Sequence, residues 1–475
     1  MYPYTISACI EDLKTKKQTS YRLTKFFLDQ IKIYNPYLNA IAMINPDALI
    51  IAKSLDEERE KGLIRSPLHG LPILLKDNIL TNDKMTTTNN AFCFKDFIAP
   101  YEATIVKKLR DAGCVILGKA NLSEFAYFMS DQSMPSGYGS LHGQVVNPYH
   151  PKIDPLGSST GSAVSVAAHM IPAAIGTETN GSLMAPSYQN QVVSIKPTMG
   201  LVSRYGIIPI SNHQDIAGPI GKTVEDCAFL LDIMVGYDSN DPVTKKAKSF
   251  HKDYQKHLNQ SIQGIKIGIV EFDAYTYNDI DKACLEKAKS VYQSLGVEVV
   301  DLPFKYHAMH NTETLLFDFK HDLNAFLQSL KDYTPMQSLS DIIAFNQKHS
   351  DRCLVYGQTL FERALETTDL NDEIYLKKRS VLLHEAKRFQ QLMEDEGLSA
   401  IISTKWTSYA PVYGNPSVCV PAKPLDDLNP VSLVLVGKRF EDDLLLRIAH
   451  QYEQKTMHRI EPPFEKFHLF EANHE

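Results

Sequence analysis

The strongest constraint on the fold is a set of short apolar runs, each bounded by glycine, proline, asparagine or lysine. PILLKDN from Pro72, CVILG at 114–118 and VVSIKPT at 192–198 are of this kind. Runs this short and this apolar, closed by such breakers, read as strands buried on both faces. Helical segments such as ATIVKKLRDAG, from Ala103, lie between them. Strands alternating with helices predict an α/β layout around a largely buried sheet, with active residues at strand ends and in loops.

The flanking segments extend this pattern. Residues 5–60 have helical periodicity, with Leu23, Phe26, Phe27 and Ile31 on one stripe and a second run from Pro46 to Lys61. IKIGIVEF, DKACLEKAKSVYQSLG and VEVVDLP form a strand–helix–strand unit at 265–303 that extends the sheet. Residues 305–395 are polar and helical. Because strand signals resume at LSAIIST (398–404), SVCVPA and VSLVLVG, this stretch reads as a helical layer or cap inserted over one sheet. The expected parts are N-terminal helices (1–64), an α/β core (65–304), the cap (305–395) and a return to the sheet (396–475). AVSVAAHMIPAAI, from Ala163, is alanine-rich and reads as a buried helix.

Composition narrows the function classes. A net charge of −7, with lysines and arginines scattered, gives no basic stripe for a phosphate backbone. Cys9, Cys93, Cys114, Cys227, Cys284, Cys353 and Cys419 are odd in number and form no CxxC pair, which argues against a disulfide framework or a zinc knuckle. MYPYTISACIEDLKTKKQTS carries charge where a secretory signal needs an apolar core, and no later run is apolar for long enough to span a bilayer. A cytoplasmic protein without a membrane role is expected. There is no HExxH and no persuasive ligand spacing for a metal. Gly118-Lys119-Ala120-Asn121 lacks the first half of a nucleotide-binding loop and reads as a strand-end turn, so no cofactor is expected.

Three polar segments carry the chemistry. GLPILLKDN sets Lys76 at the end of an apolar strand, where burial would lower its pKa and supply a neutral amine; a salt bridge to Asp77 is the alternative. GSSTGSA places Gly157, Ser158, Ser159, Thr160 and Ser162 before a helix of small residues, which a plain Ser-rich N-cap would also explain. The same segment matches G-x-S-x-G with Ser159 at its centre, but NPYHPKIDPL before it is broken by proline and cannot be the required strand. Ser159 is therefore a supporting hydroxyl. GTETNGS, ending at Ser182, suits a tight loop whose successive N–H groups face one point, an oxyanion hole; a glycine turn without chemistry is the alternative. A neutral lysine can serve as base toward a serine without any histidine, so the three segments together predict a serine hydrolase of a non-histidine type.

From about residue 65 to 235, and again near 405 to 455, the chain resembles the amidase signature family, hydrolases with a Ser-cisSer-Lys triad. The matching residues are KDN at Lys76, GSSTGSA at 157–163, GTETNGS at 176–182 and SIKPTMGLVSRYG at 194–206. The resemblance implies one amidase domain with a mixed central sheet covered by helices on both faces. It assigns Ser182 as nucleophile, Ser158 as bridging serine with a cis bond to Gly157, and Lys76 as base. The amides of Thr179, Asn180, Gly181 and Ser182 correspond to the oxyanion hole. The reaction implied is hydrolysis of a carboxylic amide through an acyl-enzyme on Ser182.

Departures from the family pattern refine the branch. The commonest motifs carry paired glycines, GGSSGGS and DTGGSIR, where this chain has Leu156 and Thr160, then Glu178, Asn180, Leu183 and Met184. Asparagine at 180 tolerates a left-handed backbone. GTETNGS and GIIPISNHQDIAGP move the chain toward the peptide-amidase-like branch, whose substrates are small-molecule or peptide amides. The A subunit of glutamyl-tRNA(Gln) amidotransferase is also similar, through LVLVGKRFEDDLLLRIAHQYEQ among other features; it would bring partner subunits and a tRNA connection. A catalytically silent binding homologue is a third reading. Phe125, Tyr127, Phe128 and Tyr138 are candidates for an apolar acyl pocket, with core packing as the competing explanation.

Overall fold

The apolar runs become strands because both of their faces are covered. The computed structural model describes residues 4–250, 253–272, 275–302, 309–423 and 430–466. Among these, eleven strands make one sheet: β1 (Ile41–Ile44), β2 (Pro72–Lys76), β3 (Val115–Ala120), β4 (Ala173–Glu178), β5 (Val193–Lys196), β6 (Ile216–Gly221), β7 (Lys266–Ile269), β8 (Glu298–Asp301), β9 (Ala400–Ser403), β10 (Ser417–Pro421) and β11 (Ser432–Gly437). Their order is β1-β3-β2-β4-β6-β5-β10-β11-β9-β7-β8. β2 runs parallel to β3 and β4, and β7 runs parallel to β8 and β9, whereas the strands between pair antiparallel. Every residue of β2 to β6 is buried, and the two edges, β1 and β8, are partly open, as is the first residue of β7.

Helices cover both faces of this mixed sheet. Thr160–Ala167 packs on β2, β3 and β4, and Val224–Met234 packs on β5 and β6. Thr223 starts the latter with a capping box to Asp226. The stretch read as a cap is helical at Thr312–Ser329, Leu339–Lys348, Ser350–Cys353, Thr359–Leu365 and Glu373–Asp395. Its apolar side forms a second hydrophobic cluster in which Phe319, Leu323 and Phe361 meet Leu80, Phe94 and Ile208. Residue 303 of the expected strand–helix–strand unit, residues 305–308 of the cap and residues 467–475 lie outside the described residues.

Two local readings are corrected. AVSVAAHMIPAAI is not one helix: the helix ends at Ala167, His169 takes a left-handed conformation (φ 58°), and Ala173 opens β4. Pro172 cannot continue a helix, and the alanine-rich sequence disguises the strand. GTETNGS is therefore not all loop, since Gly176–Glu178 complete β4 and the turn begins at Thr179. Within the N-terminal helical region, IAMI forms the short edge strand β1, too brief to show a period of two.

The helix Thr160–Ala167 comes close enough to the neighbouring backbone that Gly161 has no room for a side chain. A Cβ there would lie 2.2 Å from Ala40 O and 2.4 Å from Asn121 O. Gly161→Ala is expected to destabilise the protein by about 3 kcal/mol, the upper end for overpacking, and urea denaturation checks it. A loss below about 0.5 kcal/mol, the size of an ordinary surface change, would contradict this packing.

Candidate active site

β2 delivers Lys76 to the C-terminal edge of the sheet, where it is fully buried. Its Nζ lies 2.8 Å from Ser158 Oγ, 2.9 Å from Thr177 Oγ1 and 3.3 Å from Thr177 O. Burial penalises the ammonium and pulls the pKa of Lys76 down to about 7, against the opposing pull of Asp215 and Glu178. The alternative pairing with Asp77 is not what forms. Asp77 turns away, accepting the Thr88 N–H (3.1 Å) and hydroxyl, and its nearer cation is Lys119 at 3.9 Å.

The GSSTGSA turn is held against the end of β4. The Gly157–Ser158 peptide bond is cis. Ser158 is fully buried, and its carbonyl accepts from Ser123 N (3.3 Å). Ser159 Oγ donates to Thr177 O (2.9 Å) and accepts from Thr177 N (3.1 Å), tying the turn to the strand. Its own N–H donates to Ser182 O (3.2 Å), so the two serine segments touch through backbone. Ser182 is 9% exposed, and its Oγ has no hydrogen-bond partner among the described residues.

The turn after β4 presents free donors. The N–H groups of Thr179, Asn180, Gly181 and Ser182 donate to no acceptor among the described residues. The left-handed residue in this turn is Gly181 (φ 81°), not Asn180. Gly181 is also where Trp406 comes close, 3.0 Å from Nε1 to the position a Cβ would take. Asn180 is used through its side chain instead: Nδ2 donates to Ser408 Oγ (3.0 Å) and to Asn311 Oδ1 (3.2 Å). Gln214 Nε2 donates to Thr179 O (3.0 Å), and the Thr179 hydroxyl donates to Asp215 Oδ1 (2.5 Å). Burial raises the pKa of Asp215 to about 6, partly offset by the Thr179 hydroxyl and by the N–H groups of Ser211 and Ile210. Glu178 Oε2 accepts from Leu183 N (2.7 Å) and Met184 N (3.1 Å), anchoring the start of the next helix. Met184 and Leu183 are buried in the main core, so no charge replaces the family's usual arginine there.

A narrow cleft opens beside Thr177 and Thr179, walled by Asn78, Ile207, Ile208 and Asp215. Of the aromatic segment, Ala126 lines it. Phe125 and Phe128 pack into the second hydrophobic cluster, against Phe361 and Phe319 respectively. Tyr127 is 40% exposed and donates to Met134 O (2.6 Å), and Tyr138 stacks edge-on against Tyr356. Asn78, Thr177, Asp215 and Trp406 received no role from the sequence. Asn78 and Thr177 stand inside the KDN and GTETNGS motifs, and Nδ2 of Asn78 donates to Thr177 Oγ1 (3.0 Å). Among the described residues, no group of three or more His, Cys, Asp or Glu could hold a metal, all seven cysteines are buried and none is in a disulfide, and no helix is long and apolar enough to cross a membrane.

The chain is similar to known amidases along most of its length. The family model described as Amidase matches residues 22–404. A probable amidase of Arabidopsis thaliana is 37% identical over 96% of this chain and 91% of its own length. The native peptide amidase of Stenotrophomonas maltophilia superposes with a TM-score of 0.90 at 35% identity, covering 98% of this chain and 99% of that one. The A subunit of the Coxiella burnetii glutamyl-tRNA(Gln) amidotransferase is 31% identical over 96% of this chain and 98% of its own length.

Because Trp406 is the only tryptophan, its emission reports on the turn. Gly181→Ala must place a Cβ against the indole in a backbone conformation that alanine avoids, at about 1–2 kcal/mol. A red shift of the emission maximum and a loss of stability of that size are expected. Unchanged emission and stability would contradict the close approach.

Proposed function

The chain belongs to the amidase family, and from that premise we propose that it hydrolyses a carboxylic amide through an acyl-enzyme on Ser182, with Ser158 and Lys76 as proton relay. The observation that carries the reading is a buried amine, poised near pH 7 and 2.8 Å from Ser158 Oγ, beside a turn of four unpaired N–H groups that ends at Ser182. In this reading neutral Lys76 takes the Ser158 proton, Ser158 takes the Ser182 proton, and Ser182 Oγ adds to the amide carbonyl. The oxygen that becomes negative is received by the N–H groups of 179–182. The proton returns along the same relay to the leaving nitrogen, because an amine leaves poorly unless protonated as the bond breaks. Water then repeats the attack and frees the acid. The hydrogen bond from Ser182 to Ser158 forms as substrate closes the site; catalytic contacts are commonly loose without substrate.

Similarity to the Stenotrophomonas peptide amidase supports amino-acid and peptide amides as the substrate class. Similarity to the Coxiella amidotransferase chain supports a second reading, a glutaminase that works only with partner subunits. Ammonia release from N-acetyl-L-leucinamide by the isolated protein separates them, since the first reading predicts turnover and the second predicts none without partners.

Kinetics test the roles. Ser182→Ala is expected to lose roughly a millionfold in kcat with its fold intact. Lys76→Met is expected to lose roughly a hundred- to ten-thousandfold, the contribution of a positioned base. In the wild type, kcat/KM should rise with pH through about 7 and then level, because the base is the neutral amine. Retention of full activity by either variant, or a profile falling through pH 7, would overturn the assignment.

The same shift sets a stability relation. The folded pKa of Lys76 lies below its ordinary value of 10.5, so between about 7 and 10.5 the unfolded chain binds more protons and stability rises with pH. Lys76→Met removes this penalty. Its Tm should exceed that of the wild type at pH 7, and the gap should close as pH rises toward 10; a gap independent of pH would show that Lys76 is not buried neutral.

A further inference from the structure

A relay of three side-chain amides begins and ends on the turn after β4. Asn180 Nδ2 donates to Asn311 Oδ1 (3.2 Å), Asn311 Nδ2 donates to Gln214 Oε1 (3.3 Å), and Gln214 Nε2 donates to Thr179 O (3.0 Å). Gln214 and Asn311 are both buried. Gln214 comes from the loop before β6, and Asn311 from the start of the helix Thr312–Ser329. The Thr179 carbonyl can only accept, and this fixes the orientation of all three amides. Gln214 must turn its NH2 to Thr179, which leaves its oxygen for Asn311, and Asn311 in turn presents its oxygen to Asn180.

What the relay grips is the peptide unit between Thr179 and Asn180. That bond is trans, so its C=O and its N–H point in opposite directions across a rigid plane. Pinning the carbonyl on one side therefore aims the Asn180 N–H to the other, where it donates to no acceptor among the described residues. A second grip stops the plane from swinging. The Thr179 hydroxyl donates to Asp215 Oδ1, and Asp215 Oδ2 accepts from the N–H groups of Ile210 (2.8 Å) and Ser211 (2.9 Å). A hydrogen bond accepted at the carbonyl also polarises the amide and strengthens its N–H as a donor.

We propose that Gln214 is a positioning residue that aims and polarises the Asn180 N–H toward the oxygen that becomes negative in the reaction, and that Asn311 holds Gln214 in the orientation this needs. The proposal rests on the amide-hydrolase reading above. Gln214 touches no reacting atom in this account and acts through the Thr179–Asn180 peptide. Because the oxygen carries its charge only as the transition state is reached, losing the aim lowers kcat and leaves KM. The helical layer is then coupled to the chemistry through Asn311.

Two variants test this. Gln214→Met keeps the length of the side chain and removes the amide. Asn311→Leu removes the hold on Gln214, leaves Asn180 its bond to Ser408 Oγ (3.0 Å), and keeps the test valid if the first variant disturbs folding. Turnover of N-acetyl-L-leucinamide is measured beside inhibition by N-acetyl-L-leucinal, an aldehyde whose adduct with a serine hydroxyl places a charged oxygen where the reacting one would lie. In Gln214→Met, kcat is expected to fall about tenfold, less than the roughly hundred- to thousandfold of losing an oxyanion donor outright. Ki for the aldehyde should rise by about the same factor while KM changes by less than about twofold. Asn311→Leu should move kcat and Ki in the same directions by a smaller factor. Unchanged kcat and Ki, or a rise in KM that matches the rise in Ki, overturns the role of Gln214, while wild-type turnover leaves the amide-hydrolase reading standing. A wild type that neither hydrolyses the amide nor binds the aldehyde overturns both.

Discussion

The contact between the Lys76 amine and Ser158 Oγ is the interaction around which the rest of the site is arranged. A lysine with no access to water is costly as an ammonium, so the fold holds it near neutrality and surrounds it with oxygen acceptors from Ser158 and Thr177. Asp77, the adjacent residue that could have fixed it as a cation, is drawn off by Thr88 and Lys119. Asp215 and Glu178 act on Lys76 through space, and neither makes a hydrogen bond to it among the described residues. The amine is thus kept reactive by what is withheld as much as by what is supplied.

Positioning comes from the sheet and from two remote layers. β2 and β4 are parallel neighbours, which brings Lys76 and Thr177 side by side at one edge of the sheet. The cis turn at Ser158 is tied to β4 by Ser159, and the turn at 179–182 is tied to the helical layer by Asn180 and Asn311 and to the 210–215 loop by Gln214 and Asp215. Asn311 Nδ2 also donates to Gln214 Oε1 (3.3 Å), closing a ring of side-chain amides behind the 179–182 turn. The helical stretch 312–395 therefore bears on the chemistry through the residue just before its first helix.

How much of this could be read from the sequence depends on what signal each feature leaves. The strands β2, β3 and β5 were legible because burial on both faces makes their sequences continuously apolar. β4 was not, because small residues after an alanine-rich helix carry neither period, and only Pro172 marks the break. Lys76, Ser158 and Ser182 stand in dense local motifs that a single sequence displays. Trp406, Asn311 and Asp215 reach the same place from distant positions in the chain, through packing that no local pattern encodes. Asn180 shows the difference in one residue: its tolerance of left-handed backbone is a sound local argument, yet Gly181 takes that conformation and leaves the asparagine side chain free to reach Asn311 and Ser408.

The central claim is that Ser182, not Ser158 or Ser159, is the activated nucleophile. Intact mass and peptide mapping after exposure to a serine-directed fluorophosphonate address it most directly, using wild type and Ser182→Ala. The account predicts a single adduct on wild type, located on Ser182, and none on the variant. An adduct of equal yield on Ser182→Ala, or one mapped to Ser158 or Ser159, would contradict it.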